Sequence, residues 1–259
     1  MERTSLAIYF LVALVDMCSC KLHQTSLSFK ENGVELEEKM FFDENNRFEF
    51  IKVPAHNGRV AVTVMLDTAL HYAIHKMPAM KMCYVIKTQE DEDQPLTEEE
   101  SVKAVKNRFP DEYTIRNHKI LVAGDADLTT KIGKIAAKFC RGEYKIKNAV
   151  DFRGDEDVSD YVNKKIQAKA RGGNKRSKRD IPIRDFVFMG CSQVDTDNTL
   201  SELEKCNGVV TNMKATCKFR TSACTYRVHC EWNQNQEAHV CRGSHDLTSL
   251  ICCTYKCQA

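Results

Sequence analysis

Asn57-Gly58-Arg59-Val60-Ala61-Val62-Thr63-Val64-Met65-Leu66-Asp67 is a tight turn followed by a strand. Asn-Gly supplies the two positive-φ positions that a two-residue hairpin turn requires. Beyond it, Val60, Val62, Val64 and Leu66 fall on one face and Ala61, Thr63, Met65 and Asp67 on the other, the period of two that a pleated strand imposes. Working outward, residues 47–53 alternate in the same way until Pro54 stops them. Residues 69–76 and 80–87 read as two further strands separated by Pro78. Residues 21–44 are polar, carry one hairpin signal at Asn32-Gly33, and are read as an N-terminal linker.

Two helices follow. Thr97-Glu98-Glu99-Glu100 is a capping box, in which the threonine oxygen accepts an orphan N–H while Glu100 reaches back. Val102, Val105 and Phe109 continue it as an apolar stripe that Pro110 ends. Residues 113–123 return to strand. The second helix is expected to begin near Asp125 or Asp127, to carry Leu128, Ile132, Ile135, Ala136 and Phe139 on one face, and to stop at Gly142. Residues 144–147 read as a last strand. Residues 155–170, weakly amphipathic through Val158, Val162 and Ile166, are taken as linker. The expectation is an α+β layer, with a mostly antiparallel sheet of about five strands flanked by two helices.

The cysteines divide the chain. Of thirteen, only Cys18, Cys20, Cys83 and Cys140 precede Arg176-Ser177-Lys178-Arg179, and nine follow it: Cys191, Cys206, Cys217, Cys224, Cys230, Cys241, Cys252, Cys253 and Cys257. Such a change in composition across an R-x-K-R run reads as a junction cut by a furin-type convertase. The acidic pockets of that protease would take Arg176, Lys178 and Arg179, cutting before Asp180, and Gly172-Gly173 supplies the flexibility the cleft demands. At the N-terminus, ten apolar residues from Leu6 to Val15 are too few to cross a bilayer and suit a signal peptide over residues 1–20. The rival is an uncleaved signal-anchor that tethers the protein to a membrane. Secretion implies an oxidising compartment, so the cysteines are read as disulfides rather than metal ligands. The net charge of +2 gives no global field for nucleic acid. Residues 180–259 carry eight Lys/Arg against nine Asp/Glu, which argues against a membrane-lytic peptide.

Asp67 in Met65-Leu66-Asp67, Cys83 in Met82-Cys83-Tyr84-Val85-Ile86, and Cys140 closing the second helix together resemble the aspartate and two cysteines of BRICHOS domains. The order of hairpin, strand, helix, strand and helix over residues 45–150 resembles that family too. The resemblance implies the five-stranded sheet with its two helices and a Cys83–Cys140 disulfide. It also implies an anti-aggregation role toward a β-prone segment of the same precursor. On this reading residues 151–179 are a linker holding the cleavage site, and residues 180–259 are a small, separate, disulfide-rich product with β structure. The first domain then acts as an intramolecular chaperone whose client is its own C-terminal segment.

The residues themselves bear on that expectation. Cys83 and Cys140 are the only cysteines between signal and junction, so an oxidised domain would pair them, which would contribute about 4 kcal/mol by restricting the unfolded chain. Asp67 has two readings: a turn-capping aspartate, or a partly buried carboxylate that senses acidic secretory compartments. Clients for strand addition are Asp185-Phe186-Val187-Phe188-Met189-Gly190 and Ser249-Leu250-Ile251-Cys252-Cys253-Thr254-Tyr255, both β-prone and low in charge. In the product, residues 213–219 and 223–232 read as short strands, with Cys224 and Cys230 on one face with Tyr226 and Val228 to anchor a hairpin. Nine cysteines leave one over, to stay free, to pair outside the segment, or to link two copies into a disulfide-bonded dimer. His229, His239 and His245 lie near cysteines, but no C-x-x-C pair prepares a zinc site. No nucleophile, metalloprotease or phosphate-loop signature occurs, so neither enzyme activity nor a cofactor is expected. The alternatives are a defence, toxin-like or signalling peptide precursor, and an uncleaved secreted structural or binding protein whose two parts stay joined.

Overall fold

The computed structural model describes residues 23–43, 48–88, 98–152, 156–172 and 191–258. Asn32 and Gly33 take positive φ and join β1 (His23–Glu31) to β2 (Val34–Phe42), so the polar segment read as linker is a hairpin. It escapes notice because Glu38 interrupts its apolar face, on which Leu27, Phe29, Met40 and Phe42 are buried. β3 (Phe48–Val53) and β4 (Val62–Asp67) follow, with Asn57 and Gly58 at positive φ in the turn between them. β5 (Tyr72–Met77) and β6 (Met82–Lys87) extend the meander. α1 (Glu98–Ala104) ends well before Pro110, at Lys106 and Asn107 in the left-handed region. The capping threonine, Thr97, lies outside the described residues.

β7 (Tyr113–Asp125) leads to α2 (Lys131–Phe139), which starts later than expected. Thr130 caps it by accepting from Gly133 N at 3.0 Å, and Leu128, placed on its buried face by the sequence, is 47% exposed. β8 (Lys145–Phe152) and α3 (Val158–Gly172) follow. Val162 and Ile166 of α3 are buried, so this helix is packed and is no mere linker. α4 (Gln193–Lys205) had no counterpart in the sequence reading; a full capping box of Ser192 and Asp195 starts it. β9 (Met213–Asn233) and β10 (Ala238–Cys257) form a long hairpin. The two short strands expected here are one strand with a register shift opposite Leu250 and Ile251, a bulge that breaks the alternation.

All ten strands make one mixed sheet, in the order β1-β2-β3-β4-β5-β6-β8-β7-β10-β9, curled into a half-barrel. The β6/β8 and β7/β10 pairs are parallel and the rest antiparallel. This overturns the five-stranded sheet flanked by two helices with a detached C-terminal domain. The physical reason is edge satisfaction: a five-stranded sheet leaves two open rows of N–H and C=O groups. Here the β1–β2 hairpin adds to β3, and β10 adds to β7. The largest apolar cluster draws side chains from all ten strands and from Val102 of α1. A second cluster packs α3 and α4 on Met213, Ala215, Ile251, Cys253 and Tyr255. A third packs α2, through Ala136 and Cys140, on Met65, Ile74, Cys83 and Val85.

Candidate functional site at the edges of the C-terminal hairpin

The β9–β10 hairpin has two outer edges, and residues N-terminal to the R-x-K-R run cover both. Along the first edge, residues 243–251 of β10 pair in parallel with residues 113–121 of β7. The expected client stretch 249–255 lies partly in this ladder. Gly243 permits the close fit: a Cβ there would lie 2.8 Å from Cζ of Phe109 and 3.0 Å from Cβ of Tyr113.

Along the second edge, side chains do the work of a neighbouring strand. Ser159, Asn163 and Gln167 recur every fourth residue on α3 and so share one face. Asn163 accepts from Ala215 N at 2.8 Å and donates to Ala215 O at 3.1 Å. Ser159 Oγ accepts from Cys217 N at 3.0 Å, and Gln167 donates to Thr211 O at 3.0 Å. Further along, Val60 N donates to Ser222 O at 3.0 Å and the buried Glu38 accepts from Tyr226 N at 3.0 Å. A long strand edge is an aggregation template unless something covers it.

Five disulfides are present among the described residues. Cys83–Cys140 ties β6 to α2, as the resemblance implied. Cys191–Cys252 and Cys206–Cys257 fasten both ends of α4 to β10. Cys217–Cys253 and Cys230–Cys241 staple directly opposed positions of β9 and β10, each with Cα atoms 4.0 Å apart. Cys230 thus anchors the hairpin as expected, and Cys224 is the ninth thiol, unpaired and 2% exposed. A bridge to a second copy would require it to leave its pocket. Among the described residues, no disulfide joins the part before the junction to the part after it.

The Cys224 pocket is a polar seam between the two parts. Glu31 at the end of β1 accepts from Arg59 Nη1 at 2.5 Å and Asn57 Nδ2 at 2.6 Å. Burial opposes its ionisation, but those hydrogen bonds outweigh burial and hold its carboxyl below the usual range. His56 Nδ1 lies 2.8 Å from Pro54 O. A carbonyl only accepts, so Nδ1 carries the proton. Its Nε2 then faces Cys224 Sγ at 3.2 Å, the Tyr226 hydroxyl at 3.3 Å and Glu31 Oε2 at 3.3 Å. Burial pushes the Cys224 thiol up to about 11 and raises the Tyr226 phenol as well. The thiol is therefore held protonated, opposite to what nucleophilic catalysis requires.

Asp67 ends β4, and its side chain accepts from Leu70 N at 2.9 Å, which is the turn-capping arrangement. It is nevertheless 1% exposed, and Oδ2 has no partner among the described residues. Arg176, Lys178, Arg179, Asp180 and the client stretch 185–190 lie outside the described residues. The three C-terminal histidines are dispersed: His229 lies near Glu231, His239 packs on Trp232, and His245 is buried. Among the described residues, no group of three His, Cys, Asp or Glu side chains is placed to hold a metal ion. The residues missed by sequence reasoning are Ser159, Asn163 and Gln167; their spacing was visible, but not the strand they would face. The disulfides fit a protein of extracellular type, and no described helix is long and apolar enough to cross a membrane. No family model, no curated protein and no solved structure matches this chain.

Proposed function

We propose that the chain is a secreted proprotein of BRICHOS-type organisation, in which residues 23–172 act as an intramolecular chaperone for the disulfide-rich hairpin that follows the junction. The observation that supports this most is the coverage of both hairpin edges by groups from before the junction. β7 takes the β10 edge by strand addition. α3, Val60 and Glu38 occupy the β9 edge. An edge so occupied cannot recruit a second chain while its four bridges form. Because no described disulfide crosses the junction, cutting there would leave the parts held by noncovalent contacts alone, as release of a product requires.

The test is expression of residues 180–259 with and without residues 21–179 in an oxidising secretion system. Soluble, correctly bridged product falls severalfold without the front part; equal yields would defeat the proposal. A second reading, a secreted binding protein whose parts stay joined, draws on the continuity of one sheet through the β7–β10 ladder. Intact mass of the secreted protein separates them: cleavage after Arg179 supports the proprotein, and an uncut chain supports the joined form.

A further inference from the structure

His245 is a buried histidine that neither the sheet nor the proposed function requires. It is 3% exposed, and its Nε2 has no partner among the described residues. It stands opposite Tyr226 in the β9–β10 ladder and stacks on that ring at 4.5 Å, while Phe29 of β1 stacks on Tyr226 at 3.6 Å. Tyr113 of β7 meets it edge-on at 6.1 Å. Arg59 and His56 of the β3–β4 turn, Glu31 of β1 and Asp246 beside it on β10 are the charged or titratable groups acting on it. Glu38 of β2 binds Tyr226 N just across the ladder, and Asp246 lies 3.9 Å from Arg116 of β7.

We propose that His245 is the proton sensor of a latch that holds the β3–β4 turn and β1 against β9, and that mild acid opens this seam and uncovers Cys224. The inference concerns the intact chain and does not depend on the chaperone reading. Among the described residues, the seam at the β3–β4 turn is closed by one backbone hydrogen bond, Val60 N to Ser222 O, and by side chains rather than a ladder. Local opening there is cheap compared with global unfolding. Adding a proton places a buried donor where no acceptor stands, with the Arg59 guanidinium already present. A cation gains something from the Tyr226 ring, but that gain is smaller than the cost of a buried, unpaired charge.

The sign follows from the environment. Burial first, then Arg59, holds the imidazole of His245 below its ordinary range, against the weaker pull of Glu31 and Asp246. A histidine of this kind contributes stability that is complete above its unfolded value near 6.5 and is lost as pH falls below it. Glu31, held low, keeps its charge across this window.

The experiment uses the full chain and the reactivity of Cys224 toward 4,4′-dithiodipyridine. The reaction is thiol–disulfide exchange: Cys224 forms a mixed disulfide with one pyridylthio group, and the other leaves as 4-thiopyridone carrying the thiol proton. Rates are read at Cys224 by peptide mapping and divided by that of glutathione at the same pH. Between pH 6.5 and 5.5 the ratio rises by up to about fivefold, the most that one linked proton with an open-state value near 6.5 gives over that interval. In His245→Phe, which keeps the ring stack and cannot charge, the ratio stays flat over that interval. A flat ratio in the parent, or an equal rise in His245→Phe, overturns the proposal. Hydrogen exchange of residues 222–228 in the parent gives a second readout free of the variant: unchanged protection from pH 6.5 to 5.5 overturns it too.

Discussion

Strands β3–β6 and the β9–β10 hairpin belong to one sheet and are held by different means. Three antiparallel ladders joined by short turns carry β3–β6, with Ile51, Val53, Val62, Ile74, Met77, Met82 and Tyr84 almost wholly buried and one disulfide to α2. The hairpin has one long internal ladder, four disulfides, and an outer edge satisfied by serine, asparagine and glutamate side chains. The first region is stabilised by burial and the second by cross-links with borrowed edge partners. Small apolar cores are supplemented in this way when burial alone falls short.

The comparison breaks most sharply at a disulfide. In a Cys206→Ser/Cys257→Ser variant, a loop closed over a separation of 51 residues is opened, with an expected loss of about 4 kcal/mol. Hydrogen exchange should show the loss in α4, β9 and β10 while β4–β6 keep their protection. The Cys230→Ser/Cys241→Ser variant, with a separation of 11, should lose about 3 kcal/mol. Equal loss of protection throughout the sheet would mean that the two regions are one cooperative unit.

Acid tests the first region separately. His75 of β5 stacks on Tyr84 at 5.0 Å, and burial, with His118 adding repulsion, lowers it to about 4. The unfolded chain binds this proton more readily, so stability complete above pH 6.5 is lost as pH falls toward about 4, by on the order of 3 kcal/mol. Urea unfolding at pH 7 and pH 4.5 should show the loss in the parent and a much smaller one in His75→Phe. A slope unchanged in the variant would place the acid sensitivity elsewhere.

The edge partners of β9 come next in size. Asn163→Ala removes both bonds to Ala215 and leaves a backbone N–H and C=O without them, for a loss of about 2 kcal/mol. Asn163→Leu keeps the packing against β9 but not the bonds, and should lose as much. If it loses nothing, α3 covers the edge by bulk alone and the borrowed-strand description fails.

What was legible in the sequence follows the same division. The strands around Asn57-Gly58 declare themselves because turn residues and alternation agree within a few positions, and α2 because its stripe is long. The β1–β2 hairpin was misread because its buried positions include Glu38, a carboxyl side chain that is fully buried as the acceptor for Tyr226 N. The β7–β10 pairing was invisible because a parallel ladder between residues so far apart has no local signature. With it went the edge-covering role of α3, whose polar stripe resembles any solvated helix face. The Cys83–Cys140 bond was legible from arithmetic and resemblance, while the fate of Cys224 depended on His56, Arg59 and Glu31, which only the folded chain brings together.

Asp67 gives the smallest effect and separates its two readings. Its Oδ1 caps the turn through Leu70 N, and its Oδ2 is buried without a partner. Asp67→Asn keeps an acceptor for Leu70 N, so it should be about as stable as the parent at pH 7. Asp67→Ala loses the cap and should cost about 1 kcal/mol. A capping residue predicts that Asp67→Asn leaves the pH dependence of unfolding between 4 and 7 unchanged, since His75 and His245 contribute that dependence. A sensing residue predicts that the same substitution flattens it. Urea midpoints for the parent, Asp67→Asn and Asp67→Asn/His75→Phe decide: if flattening appears with the first substitution, the carboxylate senses acid, and if only with the second, it holds the turn.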